Sequence, residues 1–142
     1  MSRDGRVARI VHFMSDFKRL RVWRKAHALT LNADRVAGSI RGARYAALRI
    51  QMTRAAMSVS TNIVEGREAK SEKEFARFLG YALGSASELE HHLMVARDVQ
   101  AITETDFSST LDQLVGVRKM LHGLIKKLQD PKPITPKQPV PS

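Results

Sequence analysis

The chain contains no cysteine, which removes disulfide staples, thiolate metal sites and a cysteine nucleophile from consideration. It also keeps all five prolines between positions 131 and 141, so nothing before them breaks a helix by that route. No apolar run approaches the ~18 residues of a membrane span. The opening "MSRDGRVARIVHF" lacks the apolar core and small-residue cleavage site of a secretory signal. Aromatic residues are few, at 6%. Acids are outnumbered 14 to 24 by Lys and Arg. These absences suit a reducing cytoplasm, and no membrane partner is expected. The 43% hydrophobic fraction in 142 residues is enough for one domain around one core.

Within that chain the apolar residues recur at helical spacing. Residues 1–16 read as a flexible N-terminal extension; Met14 looks like a natural start, so 1–13 are expected to be either a frayed extension or a start-site artefact. A first helix is expected from Phe17 to Ala37, ending near Gly38. A second runs from Ala46 to Glu65 with Leu48, Met52, Ala55, Ala56, Val59 and Ile63 on one side, and Gly66 as its stop. The third has the strongest signal. Ser71 and Glu74 form a capping box, and Phe75, Leu79, Ala82, Ala86, Leu89, Leu93 and Ala96 follow as a 3.5-residue seam. The fourth starts near Thr103, with Asp106 three residues on, and carries Leu111, Leu114, Val115, Leu121, Ile125 and Leu128, a stripe that Arg118 interrupts. Strand signals are weak throughout. The pattern predicts an all-α, antiparallel up-down-up-down four-helix bundle over 17–130, followed by a disordered proline-rich tail over 131–142.

Carboxylates in such a bundle invite comparison with di-metal sites, which need two Glu-x-x-His motifs on different helices. Only Glu88–His91 supplies one, and the expected register sets Glu65 and Glu88 about 24 Å apart at ~1.5 Å per residue. No metal, no other cofactor and no catalytic residue is therefore expected. That register places Glu88 beside Arg49 as an inter-helix ion pair. His12, His27, His91, His92 and His122 are scattered, and there is neither a nucleophile elbow nor a phosphate-cradling glycine loop.

The cations are not scattered. Residues 17–54 carry a net +9, whereas 55–100 carry −2. On a helical wheel at 100° per residue, Lys18, Arg21, Arg24, Lys25 and Arg35 fall within ~120° of arc, and Arg41 and Arg44 extend the charge into the next loop. Such a face is either simply solvated or a seat for a polyanion. Phosphate contacts there would give affinity with little sequence readout. The stripe has no aromatic ladder for single-stranded bases, and Trp23 reads as core. In "LGYALGSASELE" the glycines Gly80 and Gly84 each cost ~1 kcal/mol in a helix interior. Small residues on several faces at once point to a subunit contact, or alternatively to tight packing within one chain.

The segments "FKRLRVWRKAHAL", "QMTRAAMSVSTNIVEG" and "SEKEFARFLGYALGSASELEHHL", with a last helix ending "LIKKLQ", resemble the four-helix bundle family also called the 23S rRNA intervening-sequence protein family. The resemblance spans Phe17 to Leu128 and rests on Val22–Trp23, Asn62–Gly66, Glu74–Phe75 and Gly84–Glu90 in that order. The Arg41–Tyr45 connection departs from it, lacking the proline and acids common there. The resemblance implies a homo-oligomer, a pentamer, with no established enzymatic activity. Relatives in diversity-generating retroelements are accessory proteins that bind nucleic acid and a reverse transcriptase through a basic surface. On this reading Trp23, Asn62, Glu65, Gly66, Ser85 and Glu88 are structural residues. Asn62 is expected to tie the second helix to the following loop, and Glu65 to accept bonds from backbone N–H groups near Ser71 or from an arginine. The alternative function is a protein-interaction scaffold docking an acidic partner.

Overall fold

Ser71 accepts a hydrogen bond from the Glu74 backbone N–H at 3.1 Å, and Thr103 does the same for Asp106 at 3.0 Å. These two caps satisfy orphan donors at the starts of the two longest helices, and acids in both first turns complement the helix dipole. In a computed structural model that describes residues 17–130, four helices follow a short 3-10 turn at Phe17–Arg19: α1 (Arg21–Ser39), α2 (Ala46–Arg67), α3 (Glu72–Asp98) and α4 (Glu104–Gln129). There is no strand among the described residues. The N-terminal extension and proline-rich tail read from the sequence lie outside them.

Cross-helix bonds fix the register. Thr30 of α1 donates to the Ala56 carbonyl and meets Ser60 on α2. Ser58 of α2 meets Ser85 of α3 at 2.8 Å. Glu90 of α3 pairs with Arg118 of α4, and Asn32 of α1 reaches Thr110 and Gln113 of α4. Each helix thus packs on the next, α4 closes against α1, and successive helices run antiparallel. The core is aliphatic, with Leu29, Met52, Ile63, Leu79, Leu89, Leu93, Leu114 and Leu121 fully buried. The expected third-helix seam is buried throughout.

Several boundaries and contacts differ from the sequence reading. The first helix begins at Arg21 because residues 17–19 take the tighter turn. On α4 the buried stripe is Phe107, Thr110, Leu114, Val117 and Leu121, which turns Arg118 outward onto Glu90. Thr110 escaped an apolar count because it is polar, but its hydroxyl bonds the Asp106 carbonyl at 2.7 Å and is fully satisfied inside. Gly66 is no helix stop: α2 continues to Arg67. It is a point of close approach, where a Cβ would lie 2.9 Å from the Phe75 ring and 3.0 Å from Phe78 Cβ. Among the described residues the one left-handed glycine is Gly42, at φ +98°, in the α1–α2 connection. Gln100 takes a left-handed φ of 60° and ends α3 in a Schellman turn, with the Ala101 N–H on the Ala96 carbonyl.

Arg49 does not pair with Glu88. Its guanidinium donates to the carbonyls of Ile40 and Gly42, closing the end of α1. The expected register set Glu65 level with Glu72, but α2 runs on to Arg67. Because Ser58 stands opposite Ser85, Glu88 lies level with Ala55, roughly 9 Å along the axis from Arg49 at ~1.5 Å per residue.

Candidate nucleic-acid interface

The seven cations singled out in the sequence are not one surface. Lys18, Arg21, Arg24 and Lys25 stand at the end of the bundle where α1 begins, and all are exposed. Arg41 and Arg44 stand at the other end, beyond α1, where the Arg44 guanidinium lies 4.9 Å above the Tyr45 ring. Arg35 lies between them and is partly neutralised. It donates to Asn32 at 2.9 Å and to Asp106 at 3.0 Å, and the pair is exposed enough to be worth at most ~1 kcal/mol. Arg24 turns back to donate to the carbonyls of Lys18 and Arg19, so it fixes the 3-10 turn while keeping its charge at that end.

The α1–α4 seam adds what the first helix alone did not show. A groove of about 320 Å³ is lined by Leu20, Arg21, Met120, Gly123, Leu124 and Lys127. A neighbouring cavity of about 240 Å³ holds Lys25, Ala28, Asp112, Gly116 and again Met120. Arg21 and Lys127 thus stand on opposite banks of one channel whose floor is apolar. Lys126 and Lys127 occupy the last turn of α4, where cations are favoured by the helix dipole. The sequence offered this as the two lysines of "LIKKLQ", but read for likeness rather than for charge. Around that end α1 has no acid before Asp34, and α4 has none between Asp112 and Asp130. α1 also has no acid in its first turn and no side-chain cap, so its positive dipole end adds to the field.

Trp23 is half-buried rather than enclosed. It meets Phe17 edge-on at 5.0 Å and stacks on His27 at 4.8 Å. Asn62 donates within its own helix to the Ser58 carbonyl and hydroxyl, not to the following loop. Since Ser58 meets Ser85, the three form a polar tie between α2 and α3. Glu65 is exposed and makes no hydrogen bond or ion pair among the described residues, so neither bond expected of it forms. Glu88 is exposed, and its charge acts on His92. Burial lowers the His92 pKa below 6.5, His91 pushes it the same way, and Glu88 opposes both.

Among the described residues no group of three or more His, Asp or Glu could hold a metal ion, and no helix is long and apolar enough to cross a membrane.

No curated protein matches the chain. Among solved structures it is similar to a protein of unknown function from the S23 ribosomal protein family of Bacteroides thetaiotaomicron. The two share 24% identity over 74% of this chain and 98% of that one, with a TM-score of 0.69. At that identity the likeness establishes the fold. The model of the 23S rRNA-intervening sequence protein family matches residues 18–123, which takes in most of α1 through α4, and the chain belongs to that family.

Proposed function

We propose that this protein is a non-enzymatic, cytoplasmic, homo-oligomeric accessory factor that binds RNA or DNA through the basic end of its bundle. The observation that carries the reading is the α1–α4 channel, with Arg21 and Lys127 on its two banks. Lys18, Arg24, Lys25 and Lys126 surround it, against two acids from the α4 side: Asp112 in the neighbouring cavity and Asp130 at the C-cap. Cations on both sides of one groove hold a phosphate backbone without reading bases. Arg41 and Arg44, at the far end, are not part of this contact. The family resemblance supports the oligomer and its pentameric number. It also makes a reverse transcriptase a partner to look for.

The test is binding of a short fluorescent RNA by anisotropy across a salt series. About five phosphate contacts give a log–log slope of roughly −3.5 on a single strand and −4.5 on a duplex. Arg21→Glu combined with Lys25→Glu should abolish binding, while Arg41→Glu should leave it intact. Binding that is insensitive to salt or to the double substitution would sink the proposal. The apolar floor of the same channel favours a second reading, an acidic protein partner docked there. Such a partner would survive moderate salt and would compete with RNA.

A further inference from the structure

The bundle has two unpartnered surfaces of unlike shape. One is formed by the outer sides of α1 and α2. Leu31, Ile50 and Met57 are 60%, 53% and 52% exposed, the three most exposed large apolar residues described. The bonds from Thr30 to Ala56 and Ser60 set Leu31 and Met57 at one level of neighbouring helices. Beside them Ile50 opens into a largely apolar groove of about 390 Å³ shared with Asp34, Gly38, Thr53 and Arg54. The other surface is the outer side of α3. A Cβ added at Gly80 or Gly84 would meet nothing within 4 Å, so packing within the chain does not require either glycine. Tyr81, 50% exposed, stands beside this shelf, held by the Phe78 edge at 5.7 Å and the Arg77 guanidinium at 5.8 Å.

We infer that these surfaces are the two halves of one interface: the α3 shelf of each copy seats in the α1–α2 groove of the next. This rests on the oligomeric part of the reading above and names the faces that meet. Three observations select a second copy as the occupant. The shapes match, a flat glycine shelf with a projecting tyrosine against a concave apolar groove. The charges match, because Arg54 on the groove and Glu88 at the end of the shelf both lack an ion-pair partner within the chain among the described residues. The glycines also explain themselves: two residues that weaken a helix interior allow a partner's backbone to approach closely. The pairing joins unlike faces, so the interface is heterologous. In a square bundle the outer side of α3 lies roughly 135° round the axis from the α1–α2 seam. Successive copies therefore turn relative to one another, as a closed ring requires. The α1–α4 channel stays outside the contact.

Two substitutions, each harmless to the isolated fold, test this by light scattering on size-separated protein. Ile50→Glu spoils the groove and places a carboxylate one turn before Arg54. Gly84→Lys fills the shelf and pairs one turn before Glu88. The wild type should be assembled, and each variant alone should be a monomer near 15.9 kDa. A one-to-one mixture should give a species of twice that mass, because the intact shelf of one variant still meets the intact groove of the other. A monomeric wild type, a single variant that keeps full assembly, or a mixture that stays monomeric would each overturn the inference. Circular dichroism confirms that the variants are helical. RNA binding by the monomeric variants is read separately, so loss of assembly and loss of the nucleic-acid reading are told apart.

Discussion

Gly66 offers the sharpest quantitative test of the packing. Replacing a helical glycine by alanine normally gains up to ~1 kcal/mol from backbone entropy. At Gly66 the new methyl would stand 2.9 Å from Phe75 Cδ1, 3.3 Å from Phe75 Cε1 and 3.0 Å from Phe78 Cβ. The Phe75 ring is buried and has little room to swing away. Phe78 Cβ moves only with the α3 backbone. Forcing one methyl into such a site costs ~1–3 kcal/mol, so the two effects oppose and the clash wins. Gly66→Ala should destabilise by ~1–2 kcal/mol, a fall in Tm of roughly 4–8 °C for a chain of this size. Gly123→Ala is the internal control. Its methyl would meet nothing within 4 Å, so it should stabilise by up to ~1 kcal/mol. Urea unfolding followed by circular dichroism at equal protein concentration reads both. Opposite signs are expected, and a Gly66→Ala variant as stable as Gly123→Ala would refute the close approach of α2 to α3.

Two further predictions concern the polar groups between helices. Ser85→Ala removes the partner of Ser58 at 2.8 Å and should cost ~0.5–1.5 kcal/mol in the same urea assay; no change would mean the hydroxyl contact contributes nothing. His92 contributes to the acid side of the stability profile. Its folded pKa lies below 6.5, so the unfolded chain binds the proton more readily. Stability is then full above pH 6.5 and declines as pH falls through the window below it. His92→Gln should flatten that decline, and an unchanged profile would remove His92 as its cause.

The fold was legible because its signals are local and redundant. The capping box at Ser71, the seam from Phe75 to Ala96 and the confinement of proline to the tail all act within one helix, where spacing alone sets the face. What the sequence misjudged depends on relations between helices. Arg49 was assigned to Glu88 by a register that set Glu65 level with Glu72, whereas Ser58 stands opposite Ser85 and slides the two helices past that pairing. Arg118 was placed on a buried stripe because Thr110 was not counted as core. Glu65 was given partners to offset its position near a helix end, yet an exposed carboxylate is solvated by water and needs none. The candidate surface followed the same rule. Its α1 half was visible on a wheel, whereas Lys127 joins it only once α4 folds back against α1. Arg35 leaves it only once Asp106 comes within 3.0 Å.

The two proposed surfaces also bear on each other. Arg21, Lys25 and Lys127 line the α1–α4 seam, while the inferred subunit contact uses the α1–α2 seam and the outside of α3. A ring built that way repeats one basic channel per copy and covers none of them. A nucleic acid long enough to reach several channels gains through effective concentration, with no new contact in any single copy. The salt dependence carries the signature, because its slope counts phosphates neutralised per bound complex. The monomeric Ile50→Glu variant should bind a long RNA with a shallower slope and lower affinity than the wild type, yet match it on an oligonucleotide short enough for one channel. Equal behaviour on both lengths would mean that assembly and binding are independent, and the ring would then need another purpose.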